Sequence, residues 1–104
     1  MHHALRRCAL LTSLLGAFGL AQAQDAKLAR NLAATCANCH GTDGHARGDM
    51  KSLAGVPAGK IAAMVADYKS GAQPATIMHQ IAKGYTDDQI KLIAAYFAAQ
   101  PAKQ

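Results

Sequence analysis

The chain has 104 residues, with 11 Lys plus Arg against 6 Asp and no Glu, 3 Cys, 4 Met and no Trp. This is room for one small domain and excludes most enzymes that build a large cleft of their own. Below roughly 70–80 residues a side-chain core rarely supplies more than about 3–5 kcal/mol, and part of this chain is not expected to reach the mature protein, so a disulfide, a metal or a cofactor is expected to complete the core.

At the N-terminus His2, His3, Arg6 and Arg7 precede an apolar run over 8–20, followed by Ala21-Gln22-Ala23. The pattern predicts a secretory signal peptide over residues 1–23, cleaved after Ala23, and one domain over 24–104. A membrane span needs about 20 apolar residues, whereas this run is shorter and is interrupted by Thr12, Ser13, Gly16 and Gly19. Arg6-Arg7 matches a twin-arginine signal only in the pair itself, and Cys8 leaves with the peptide. The expected mature chain is therefore periplasmic, and nine Lys and Arg against six Asp leave it at +3. Its cations are scattered singly without interleaved aromatics, which argues against nucleic acid and leaves a mildly basic face for an acidic protein partner.

A first helix is predicted from Asp25, a good N-cap, through Leu28 and Leu32 to Cys36-Ala37-Asn38-Cys39-His40. In an exported protein, C-x-x-C-H is the attachment motif of c-type haem. Two thiols one helical turn apart meet the two vinyl groups on one porphyrin edge, and the adjacent His40 lies beneath the iron. A redox disulfide would call for a βαβ pattern that the sequence lacks. Zinc needs about four ligands, while Cys39 and His40 are awkward neighbours on one tetrahedron and leave only His45 and His79 to join them. Coincidence is the remaining alternative.

The loop after the motif takes its turn chemistry from Gly41, Thr42, Asp43, Gly44, Gly48, Asp49 and Gly55. A middle helix is predicted to begin near Pro57, to carry Ile61, Met64, Val65 and Tyr68 on one face, and to stop at Gly71. After Pro74 a short helix is expected over Met78 to Lys83, before Gly84. Thr86-Asp87-Asp88-Gln89 reads as a capping box opening a last helix with Ile90, Ile93 and Phe97 on one stripe, ending before Pro101. Ala, Lys, Leu and Ile dominate and no alternating β-branched stretch occurs, so the fold class is all-α.

The sixth iron ligand has five candidates: Met50, Met64, Met78, His45 and His79. Met64 lies on the apolar stripe of the middle helix and reads as a core side chain. Met50, ten positions after His40 in a polar loop, reads as cover for the ring edge, and His45 as a solvated loop residue. Met78, after the Pro74 loop, is placed where the chain crosses to the far side of the haem and is preferred, with His79 second.

These residues resemble a small bacterial class I cytochrome c. Within that group Cys36 to Gly44, Tyr68 to Gly71, Thr76-Ile77-Met78, Ile81 to Tyr85 and Ala95-Tyr96-Phe97 resemble the monohaem cytochrome subunit of flavocytochrome c sulfide dehydrogenase. The resemblance implies an all-helical fold around one covalent haem c in which the first and last helices cross. It implies haem attachment at Cys36 and Cys39, axial iron ligation by His40 and Met78, and a flavoprotein sulfide dehydrogenase subunit that passes electrons to the haem. The sequence departs from the group in one respect. Related cytochromes carry a Pro soon after a Gly in the loop following the motif, and its carbonyl accepts the N–H of the iron-bound His; here Gly48 is followed by Asp49, Met50, Lys51 and Ser52. The acceptor for His40 is thus left open.

His/Met ligation fills both axial positions, so the expected activity is electron transfer, not catalysis. The expected partners are redox proteins: a stably bound flavoprotein, or, in a free shuttle, a respiratory oxidase or another dehydrogenase. A haem sensor with a weak sixth ligand is a third class. Lys51 and Lys83 are candidate docking charges, with ordinary solvation as the alternative. Tyr85 is either a haem contact or a packed surface aromatic.

Overall fold

A computed structural model describes residues 25–102. The expected signal peptide over 1–23 and its cleavage site after Ala23 lie outside the described residues. Among the described residues the order is α1 over 25–34, α2 (Ala37–His40), a 3-10 turn (Thr42–Gly44), α3 (Ala58–Ser70), α4 (Met78–Lys83) and α5 (Asp87–Ala98), with no strand. The chain does not run helically from α1 into the motif. A turn at Thr35 and Cys36 separates α1 from α2, and the Cys36 N–H donates to the Ala33 carbonyl at 3.0 Å.

Local chemistry explains where the longer helices begin and end. Pro57 needs no donor of its own, and its carbonyl accepts the first bonds of α3 from Lys60 (3.0 Å) and Ile61 (3.1 Å). Gly71 ends α3 in the left-handed conformation. At α5 the Gln89 N–H donates to Thr86 Oγ1 (3.2 Å) while the Thr86 N–H donates to Gln89 Oε1 (2.9 Å), a complete capping box. Asp87 and Asp88 in the first turn complement the helix dipole.

The core is a small cluster of Ala33, Ile61, Ile93, Ala94 and Phe97, flanked by Leu32, Cys36, Leu53, Val56, Val65, Tyr85 and Tyr96. It joins α1, α3 and α5, and α4 packs against α3. In α1 the buried positions are Ala29 and Ala33, one turn apart, while Leu28 is 47% exposed. Ala33 of α1 shares the buried cluster with Ala94 and Phe97 of α5. The stripe expected on α3 divides: Ile61 is buried and Val65 packs on the cluster, whereas Met64 and Tyr68 are half-buried outside it. Met64, expected as a core side chain on that stripe, thus lies at the edge of the core. No helix among the described residues is long and apolar enough to cross a membrane.

Candidate functional site

The short helix α2 is built from the motif itself. The His40 N–H donates to the Cys36 carbonyl at 2.8 Å and the Cys39 N–H to the same oxygen at 3.3 Å, so Cys36 and Cys39 stand on one turn as free thiols. Cys36 is half-buried, and burial raises its thiol above the usual value, so it is held protonated; Cys39 is exposed. This is the thiol spacing that two thioether bonds on one porphyrin edge need.

His40 is oriented by a contact that spacing alone did not reveal. Its Nδ1 lies 2.7 Å from the carbonyl oxygen of Lys51. A carbonyl only accepts, so Nδ1 carries the proton and Nε2 presents its lone pair, the tautomer an iron-ligating imidazole requires. The acceptor left open by the absent Pro is therefore the backbone of Lys51. Its loop is pinned on both sides: the Ala46 N–H donates to Ser52 Oγ at 3.1 Å, and the Leu53 and Ala54 N–H groups donate to the Gly44 carbonyl at 2.8 and 3.2 Å.

Met78 opens α4 and is half-buried, on a different element from the motif. Ile77, just before α4, and Ile81 within it are 58% and 37% exposed, two of the exposed large hydrophobics among the described residues. The neighbouring His79 has a buried Nδ1 without a hydrogen-bond partner. An open hollow of about 760 Å³ beside the motif is lined by Cys39, Gly41, Thr42, His45, Arg47 and Met50 among others, and neither His40 nor Met78 lines it. Among the described residues no group of three or more His, Cys, Asp or Glu stands ready for a bare metal ion, so the zinc alternative finds no ligand set. Free thiols at one-turn spacing, an imidazole with Nε2 free, and uncovered Ile77 and Ile81 fit a large apolar macrocycle bearing its own metal.

The remaining candidates separate clearly. Met50 is exposed and adjoins Lys51. His45 is not the solvated residue expected: it is half-buried, and its Nε2–H donates to the Pro101 carbonyl at 2.7 Å, because the chain after α5 folds back along the loop. The Gly55 N–H, donating to the Phe97 carbonyl at 2.9 Å, holds the same return. Tyr85 is packed on the core with its hydroxyl 2.5 Å from Thr35 Oγ1, and Lys51 and Lys83 are exposed. The sequence reading did not single out the Tyr96 hydroxyl, which donates to the Asp43 carboxylate and ties α5 to the turn behind α2.

No family model matches the chain. It is 42% identical over 66 residues to the cytochrome subunit of sulfide dehydrogenase of Chlorobaculum tepidum, covering 64% of this chain and 60% of that protein. It is 33% identical over 82 residues to cytochrome c-554(548) of Halomonas halodenitrificans, covering 75% of this chain and 99% of that protein. Among solved structures it is similar to the cytochrome c4 of Acidithiobacillus ferrooxidans, with a TM-score of 0.59 and 39% identity over 62% of this chain and 38% of that one. The chain thus spans less than two thirds of two of these relatives and nearly all of the third.

Proposed function

The chain belongs to the class I c-type cytochromes, which hold haem c covalently, and from that premise we propose that it is a periplasmic one-electron carrier with a single haem. Cys36 and Cys39 would hold the haem through thioether bonds, and His40 Nε2 and the Met78 sulfur would ligate its iron. The chemistry such a haem would supply is one-electron oxidation and reduction at iron. The observation that carries the reading is the 2.7 Å bond from His40 Nδ1 to the Lys51 carbonyl, which frees Nε2 and raises the basicity of the ligand. The same bond argues against Met50 as the sixth ligand. Met50 adjoins Lys51, whose carbonyl takes up the Nδ1 side of the imidazole, and it stands exposed on the loop, which suits cover for the ring edge better than iron ligation. Met78, on a separate element between the bare Ile77 and Ile81, answers the need for an apolar far side that excludes water.

Two side-chain ligands would leave the iron no open position for a substrate, so the chain's part is to pass electrons and not to do chemistry on sulfide itself. Its likeness to the cytochrome subunit of sulfide dehydrogenase from Chlorobaculum tepidum supports a sulfide-oxidising flavoprotein as the donor. The match that covers 99% of cytochrome c-554(548), a cytochrome named without a partner enzyme, leaves room for a second reading, a free shuttle serving a respiratory oxidase or another dehydrogenase. The two separate in an absorption spectrum of the protein purified gently from its native periplasm. The first reading expects flavin to co-elute with haem and sulfide to reduce the complex. Haem alone, with no reduction by sulfide, would overturn that partner and leave the shuttle.

A further inference from the structure

Met78 is reached through a stretch that restrains it little. Residues 71–77 are exposed throughout, and among the described residues no hydrogen bond holds 74–76. Ile77, which precedes α4, provides no side-chain cap. The other end of α4 is anchored. The Gly84 N–H donates to the Ile81 carbonyl at 3.0 Å and the Tyr85 N–H to the Ala82 carbonyl at 3.3 Å, which makes Tyr85 continuous with the helix. Lys69, in the last turn of α3, donates from Nζ to the Tyr85 carbonyl at 2.7 Å. The Tyr85 ring packs on the core, and its hydroxyl lies 2.5 Å from Thr35 Oγ1, one residue before Cys36. Thr35 spends its own proton on the Leu32 carbonyl at 3.1 Å, so the Tyr85 hydroxyl donates and Thr35 accepts.

We propose that Tyr85 is a positioning residue for the sixth iron ligand: its hydroxyl bond to Thr35 straps the α4 segment bearing Met78 to the start of the haem attachment motif. The inference rests on the reading of Met78 as the axial thioether. Without the strap, α4 keeps its packing on α3 but loses its tie to the Cys36 end of the site. The Met78 side chain then leaves its place more often, and an outside ligand competes better for it.

The test is titration of the ferric holoprotein with free imidazole, followed by absorbance, for the unaltered protein and for Tyr85→Phe, Thr35→Val, their double variant and Thr35→Ser. Tyr85→Phe and Thr35→Val should each raise imidazole affinity about two- to tenfold, the shift that one net hydrogen bond gives. The double variant should do no more than either single change, because both break one bond. Thr35→Ser, which keeps the acceptor, should restore the unaltered affinity. Ile90→Val, trimming a buried residue of α5 whose side chain takes no part in the strap, reports loss of stability alone and should leave the affinity unchanged. Affinities unmoved in both Tyr85→Phe and Thr35→Val, or raised as much by Ile90→Val, would overturn the inference. Met78→Ala separates the two levels. If it alters the ferric spectrum while Tyr85→Phe does not change imidazole binding, only the strap fails. If Met78→Ala leaves the spectrum unaltered, the ligand reading fails and the strap with it.

Discussion

Replacing Gly44 by alanine should unfold this protein much more readily than the same change at Gly48, and the difference follows from what the added methyl meets. Both glycines have positive φ, +81° at Gly44 and +61° at Gly48, so each substitution carries a left-handed penalty of about 1–2 kcal/mol. Part of it is offset, by about 0.4–1 kcal/mol, because alanine restricts the unfolded chain. At Gly48 nothing lies within 4 Å of the new Cβ and the account ends there. At Gly44 the Cβ would stand 2.7 Å from the Ala54 nitrogen and 2.8 Å from Cδ1 of Phe97, which is itself only 1% exposed. Backbone on one side and a buried ring on the other leave no flexible tip to yield, which adds an overpacking cost of about 1–3 kcal/mol. The Gly44 carbonyl also anchors Leu53 and Ala54, so relief by backbone movement would weaken two bonds. We expect Gly48→Ala to cost about 1 kcal/mol or less and Gly44→Ala about 2–4 kcal/mol, read as a shift of the guanidinium midpoint of the ferric holoprotein at unchanged slope. Equal losses at the two positions, or a cost at Gly44 no larger than at Gly48, would refute the reasoning.

Met78→Ala should change the ferric absorption spectrum to that of a five-coordinate or ligand-swapped haem, while Met50→Ala leaves it unchanged; the reverse pattern contradicts the ligand assignment. Thr86→Ala removes one half of the capping box on α5 and should cost about 1 kcal/mol in denaturant titration, with Thr86→Ser close to neutral. Tyr96 donates to the Asp43 carboxylate, and that bond first, then burial and the carboxylate charge, raise its phenol above the usual 10.0. The folded value exceeds the unfolded one, so this contribution to stability is fully present below pH 10 and is lost as pH rises through the raised value. In an absorbance titration of tyrosinate, Tyr96→Phe should remove a step lying above pH 10.

The helices and the motif were legible because their signals are local. The Thr86 to Gln89 box, Pro57 at the opening of α3 and Gly71 at its end each act within one turn, and the structure bears them out. The core was only half legible: hydropathy singled out Leu28, which is exposed, and passed over Ala29, Ala33 and Ala94, whose burial depends on what packs over them. An alanine bears no mark of such a role until its neighbour is known. The polar contacts were not legible for the same reason. His45 to Pro101, Tyr96 to Asp43 and Thr35 to Tyr85 join positions 50 or more residues apart, and no spacing rule pairs them. The Lys51 carbonyl on His40 is nearer in sequence, but any backbone carbonyl serves as acceptor, so residue identity does not mark it.

The central claim, one haem held covalently at Cys36 and Cys39, is tested most directly by the intact mass of the exported protein after acid-acetone extraction. The account predicts the chain beginning near residue 24 plus the mass of one haem, retained through the extraction. A bare chain two hydrogens light, the signature of a Cys36–Cys39 disulfide, or a haem lost to the solvent, would contradict it.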